Sequence, residues 1–101
     1  MAFPYPCYTI AGASVNASTG AASAVLALPD ASNGTDARRV LVQTVAGSCY
    51  IRPALAAGSV TAGTGLVITT TPIALNVRGF THIAHIQITS AQTLVVTPLE
   101  D

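Results

Sequence analysis

The sequence predicts an all-β fold, and three observations support this class. Short segments rich in Val, Ile and Thr alternate with Gly, Pro, Ser and Asn, which is typical of strands separated by turns. The turn signals recur roughly every 8–12 residues, as they do in sandwiches and small barrels. The 101 residues are enough for a single domain with one thin core. We therefore predict a compact antiparallel β-sandwich, similar to a jelly roll, of about eight strands.

The predicted strands follow from the apolar and β-branched segments between turn residues. Two short links suggest hairpins: Ala46-Gly47, in which the glycine can adopt positive φ, and Ser90-Ala91. The Ala-rich segment 54–57 lies between Pro53 and Gly58, which leaves room for one helical turn at most. In chain order, the predicted strands are residues 7–11, 13–18, 22–28, 38–45, 48–53, 65–70, 73–78, 81–89 and 92–97.

The predicted domain organisation is an extended N-terminal arm, residues 1–8, followed by a single sandwich domain, residues 9–101. In the arm, Phe3, Tyr5 and Tyr8 are interleaved with prolines, which hold the backbone extended. These aromatic side chains either anchor the arm on a neighbouring protein or fold back over their own domain. The loop 29–36 is rich in Asp, Asn and Gly and is predicted to be a solvated turn.

The charge composition excludes several classes of protein. Charged residues make up 8% of the chain, against about 25% in an ordinary domain, and the net charge is zero. Four arginines and no lysine cannot form the basic patch of a nucleic-acid-binding protein. The uncharged runs are too often interrupted by polar residues to span a membrane, and we identify no secretory signal. So few charges instead favour association with other proteins.

No motif indicates an enzyme, a metal site or a cofactor. The sequence lacks the nucleophile elbow that a hydrolase triad needs, and no phosphate-binding glycine loop leads into a helix. His82 and His85 are three residues apart in a predicted strand, so their side chains point to opposite faces and are interpreted as structural or surface histidines. The face opposite His85 is the more apolar one. For Cys7 and Cys49, free packed thiols are favoured over a disulfide.

The second half of the chain carries a recognisable pattern. Residues 37–42 read ARRVLV, residues 47–53 read GSCYIRP, residues 75–84 read LNVRGFTHIA and residues 91–100 read AQTLVVTPLE. The pattern resembles small virion proteins of tailed bacteriophages, the capsid decoration or cement proteins. This resemblance covers residues 37–101, and its motifs are structural rather than catalytic.

The resemblance implies a structural virion protein that binds the outside of the phage head and stabilises the shell after expansion. Its expected partners are the major capsid protein and further copies of itself, as a homodimer or homotrimer, without direct contact to nucleic acid or membrane. It would be made in the bacterial cytoplasm and end in the virion. By default, the candidate partner-binding residues are the aromatic residues of the arm and the arginines, namely Phe3, Tyr5, Tyr8, Arg38, Arg39, Arg52 and Arg78. Each arginine is equally plausible as an ion-pair partner within the domain.

Other functions remain open on the sequence. A head-fibre or tail-associated phage subunit would share the composition, as would a pilin-like subunit that adds strands to its neighbours, although pilins normally require export. A carbohydrate-binding jelly roll usually presents exposed aromatic residues. Outside the arm this chain has only Tyr50 and Phe80, so this alternative is the weakest.

Overall fold

The computed structural model describes residues 10, 12–30, 38–61 and 64–99. The described chain forms eight antiparallel strands and no helix, which confirms the predicted all-β class. Each observed strand overlaps a predicted strand. Of the remaining predicted strand, residues 7–11, only residue 10 belongs to the described part of the chain, and the predicted arm, residues 1–8, lies outside it. The strands are β1 Val15–Ser18, β2 Ala24–Ala27, β3 Arg39–Thr44, β4 Cys49–Ala54, β5 Leu66–Ile68, β6 Ile73–Asn76, β7 His82–Gln87 and β8 Thr93–Leu99.

The strands form two sheets of four. The first sheet has the order β1-β8-β3-β6 and the second has the order β2-β7-β4-β5. One long hairpin wrapped around the core accounts for four of the strand pairs, namely β1–β8, β2–β7, β3–β6 and β4–β5. Two further pairs, β3–β8 and β4–β7, complete the two sheets. This pairing is the jelly-roll arrangement of a β-sandwich.

Both predicted hairpins are wrong. β3 and β4 belong to different sheets, and so do β7 and β8. β3 is paired on one side with β8 and on the other with β6, so it has no free edge for β4. The link after β3 is instead an arch between the sheets, in which Gly47 has a φ of 67° and the Thr44 hydroxyl donates to the Gly47 carbonyl at 2.7 Å. The local turn signal thus indicated a reversal of the chain but not its pairing partner.

The main core lies between the two sheets. Along β3 the side chains alternate between half-buried and buried, as expected for a strand with one face toward the interior. The core is almost entirely aliphatic and includes a buried cysteine. Its buried members are Leu28, Val40, Val42, Cys49, Ile51, Ile68, Val77, Ile83, Leu94 and Val96.

A second, smaller cluster covers the outer face of the second sheet. The connection between β4 and β5 folds back over this face and places Val60 against Ala54 and Ala84. The Val60 N–H donates to the Ser23 hydroxyl at 3.0 Å. A Cβ at Gly65 would lie 2.7 Å from Val60 Cγ2 and 2.8 Å from the Ile51 carbonyl oxygen, so the close packing requires glycine there. As a result the central strand β7 is buried on both faces.

Two prolines lie inside central strands, although the predicted strands end at residues 53 and 97. β4 extends through Pro53 and β8 through Pro98. The β5 ladder stops opposite Ile51 and the β1 ladder stops opposite Val96, so each proline lies beyond the end of one neighbouring strand. The missing N–H is tolerated at such positions.

Candidate partner-binding site

The two histidines of β7 face opposite sides of the second sheet, as the strand alternation predicted. His82 is half-buried, and its Nδ1 lies 2.7 Å from the Thr81 hydroxyl. His85 is only 2% exposed and faces the core between Ala24 and Ile51 of the adjacent strands. Its Nδ1 has no hydrogen-bond partner in the described structure. The apolar face predicted opposite His85 exists and is covered by the Val60 cluster. His85 is buried on the other face, so β7 is buried on both sides.

Burial should make the stability of the protein depend on the protonation of His85. Desolvation lowers the pKa of His85 below its ordinary value of 6.5. The unfolded chain therefore takes up this proton at a higher pH than the folded chain does. The stabilisation of the folded protein that comes from neutral His85 is complete above pH 6.5 and is lost as the pH falls below that value.

We expect His85→Leu to make the free energy of unfolding less dependent on pH at acidic pH. Urea unfolding from about pH 8 to about pH 5 would show the free energy of unfolding declining for the wild type and declining less for the variant. His82→Leu is the control, because it makes the same substitution at a half-buried position on the opposite face of β7. An unchanged slope in His85→Leu would contradict this role of the buried imidazole.

Cys49 is a free thiol in the core. Its side chain is fully buried, and burial raises the pKa of the thiol to about 11. Since the thiolate is the reactive form, Cys49 is chemically inert in the folded protein. The favoured interpretation of Cys49 as a packed thiol agrees with the structure, whereas Cys7 lies outside the described residues.

The candidate arginines all lie toward one end of the sandwich, which we call the charged end. Here β3 begins and β4 and β6 end. Arg39 is the first residue of β3 and lies opposite Asn76, the last residue of β6. The Val77 N–H donates to the Arg38 carbonyl at 2.8 Å, and the Arg78 N–H donates to the Asn76 side chain at 3.0 Å. Arg52 lies two residues before the end of β4. The aromatic candidates Phe3, Tyr5 and Tyr8 lie outside the described residues.

The remainder of the described surface carries no charged side chain. Asp30, the one described carboxylate, also lies at the charged end, next to the end of β2. The opposite, uncharged end consists of the connections 19–23, 45–48, 69–72 and 88–92, which contain no Asp, Glu, Lys or Arg. Val45 at this end is 65% exposed. A surface without charges resembles the central part of a protein–protein interface.

A depression of about 470 Å³ opens at the charged end. Its lining includes the exposed side chains of Leu55 and Phe80, two residues that sequence reasoning did not select. The sequence offers only an indirect signal: Leu55 lies two residues after a proline in an Ala-rich segment, and Phe80 follows a turn glycine. The complete lining is Arg52, Pro53, Ala54, Leu55, Ala57, Gly58, Ser59 and Phe80.

No protein-family model, curated protein or solved structure matches this chain. Within the described residues, no helix is long and apolar enough to cross a membrane. The same part of the chain holds no group of three or more His, Cys, Asp or Glu side chains arranged to bind a metal ion. The function is therefore inferred from the surface and residues described above.

Proposed function

We propose that this protein is a capsid decoration protein of a tailed bacteriophage, which binds the outside of the head shell and stabilises it after expansion. The observation that carries this proposal is the distribution of charge. Every charged residue that the structure describes lies at one end, and the rest of the described surface is uncharged. The resemblance of residues 37–101 to decoration proteins points in the same direction.

An uncharged surface suits a subunit that packs against protein on several sides. Burying exposed residues such as Val45 releases water without the cost of desolvating a charge. Many copies on a regular shell then add small contributions, so no single contact has to be strong. The eight strands and two clusters of buried residues supply a compact body for such a role.

The stabilisation follows from preferential binding. A protein that binds the expanded shell but not its dissociated subunits stabilises the shell by about 4 kcal/mol per site when its free concentration is 1,000 times the dissociation constant. The same relation gives no stabilisation if both states bind equally well. The decoration protein therefore acts through binding alone and needs no chemistry.

The test uses phage heads that lack the protein. We expect such heads to release DNA at a lower temperature than complete heads, and we expect added purified protein to restore the higher temperature. The protein should also be recovered in a fixed stoichiometry with heads. DNA release at the same temperature with and without the protein would exclude a stabilising role, and recovery with tails or fibres would favour the alternative tail-associated or head-fibre subunit.

A further inference from the structure

The depression at the charged end is held in shape by the backbone around it. The Thr81 N–H donates to the Ala54 carbonyl at 3.2 Å, which joins the turn after β6 to the end of β4. The Gly58 N–H donates to the Leu55 carbonyl at 2.8 Å and closes a turn where at most a helical turn was predicted. A Cβ at Gly58 would lie only 2.5 Å from Ala54 Cβ. The depression is thus formed before any partner arrives.

The apolar part of the lining is open to solvent. Leu55 is 58% exposed and Phe80 is 41% exposed, and both belong to the eight large hydrophobic residues that are exposed on the described surface. The Phe80 N–H donates to the Val77 carbonyl at 3.0 Å, and Gly79 before it has a φ of 91°, so a tight turn fixes the backbone that carries the ring. Because the backbone at Phe80 is already ordered, a partner that covers the ring does not have to order this loop.

Arg52 adds a positive charge to the same depression. Its side chain is exposed, although the outer face of β4 also carries part of the Val60 cluster, and within the described residues it has no ion pair or hydrogen bond. None of the eight lining residues is a carboxylate. Arginine and aromatic side chains are enriched among the residues that contribute most to binding energy in protein interfaces.

The single cation and the exposed apolar side chains of the depression limit the kind of partner that can bind there. A nucleic acid would need several cations to neutralise its phosphates, and the lining contains one. A small metabolite would need a site that encloses most of its surface, whereas this depression is open. A carboxylate next to an apolar side chain, on a loop or terminus of another protein, satisfies both the charge and the exposed apolar surface.

We propose that the depression formed by Arg52, Leu55 and Phe80 is the docking site for an acidic, apolar segment of a protein partner. The inference rests on the proposed function, in which this partner is a subunit of the head shell. The carboxylate of the segment would pair with Arg52, and its apolar side chain would cover Phe80. The charged end would then face the shell, and the uncharged surface would contact neighbouring copies of the protein.

The test measures binding of purified variants to heads that lack the protein. We expect Arg52→Glu and Phe80→Ser each to weaken binding about tenfold or more, as substitutions of central interface residues do. Asn16→Glu is the control: it introduces an acidic side chain at an exposed position of β1, in the other sheet and outside the lining of the depression, and binding should stay within about threefold of wild type. Higher salt should weaken the wild type more than Arg52→Glu.

The outcomes separate this inference from the proposed function. If the wild type binds heads and both variants bind equally well, the docking site is wrong and the decoration role stands. If the wild type does not bind heads, the decoration role fails and the inference fails with it. Melting temperatures equal to that of the wild type show that a variant is folded, and Leu55→Ser provides a third variant should either of the others unfold.

Discussion

Replacing Ile51 with alanine is expected to destabilise the protein by about 2–5 kcal/mol. Ile51 is fully buried in the main core and lies at the centre of the second sheet, where β4 pairs with β5 and β7. Removing its side-chain carbons leaves a cavity that surrounding strands, paired on both sides, cannot close. A domain of this size has a total stability of about 5–15 kcal/mol, so the loss would be a large fraction of it.

Calorimetry or urea unfolding would measure this effect. We expect the melting temperature to fall by roughly 8–40 °C, since 1 kcal/mol corresponds to about 4–8 °C in a domain of about 100 residues. Ile88→Ala is the matched control, because Ile88 is 36% exposed after the end of β7. Its loss should be about 1 kcal/mol or less. Equal losses at the two positions would show that the space between the sheets is not the principal core.

Replacing Val60 with aspartate is expected to cost about 3 kcal/mol or more. Val60 is buried in the connection between β4 and β5 and packs on the outer face of the second sheet. A carboxylate there either remains buried without a cation or detaches the connection from the sheet. In the second case Ala84 and its neighbours in the cluster become exposed to water.

The control for this prediction is Ala56→Asp, which introduces the same charge at an exposed position of the same connection. It should change the free energy of unfolding by less than about 0.5 kcal/mol. Hydrogen exchange would distinguish the two ways in which Val60→Asp acts, because a detached connection exposes the amides around residue 60 before the sheets unfold. A melting temperature equal to that of Ala56→Asp would mean that the connection does not cover the sheet.

The segments rich in Val, Ile and Thr between turn residues were enough to locate the strands. Each of the eight observed strands was predicted to within a few residues, because β-branched side chains and turn residues are local signals. The strand ends at Pro53 and Pro98 were predicted less well. Proline stops pairing only where a neighbouring strand would need its N–H, and the position of the neighbour is not a local property.

The candidate site was predicted only in part. The arginines were selected because charged residues are rare, but Leu55 and Phe80 were not, since nothing local shows that a loop leucine and a turn phenylalanine border the same depression. They come together because the end of β4 is hydrogen-bonded to the last residue of the turn between β6 and β7. The proposed partner contact therefore depends on strand pairing as much as on residue type.

The sequence by itself determined the all-β class, the positions of the strands and the scarcity of charge. These properties depend on residue type and on spacings of a few residues. Only the tertiary structure decided that Gly47 lies in an arch rather than a hairpin, that β7 is buried on both faces and that the charged side chains share one end. The reason is that a strand's side chains specify which face is buried, while its backbone can pair with any strand that the rest of the chain brings alongside.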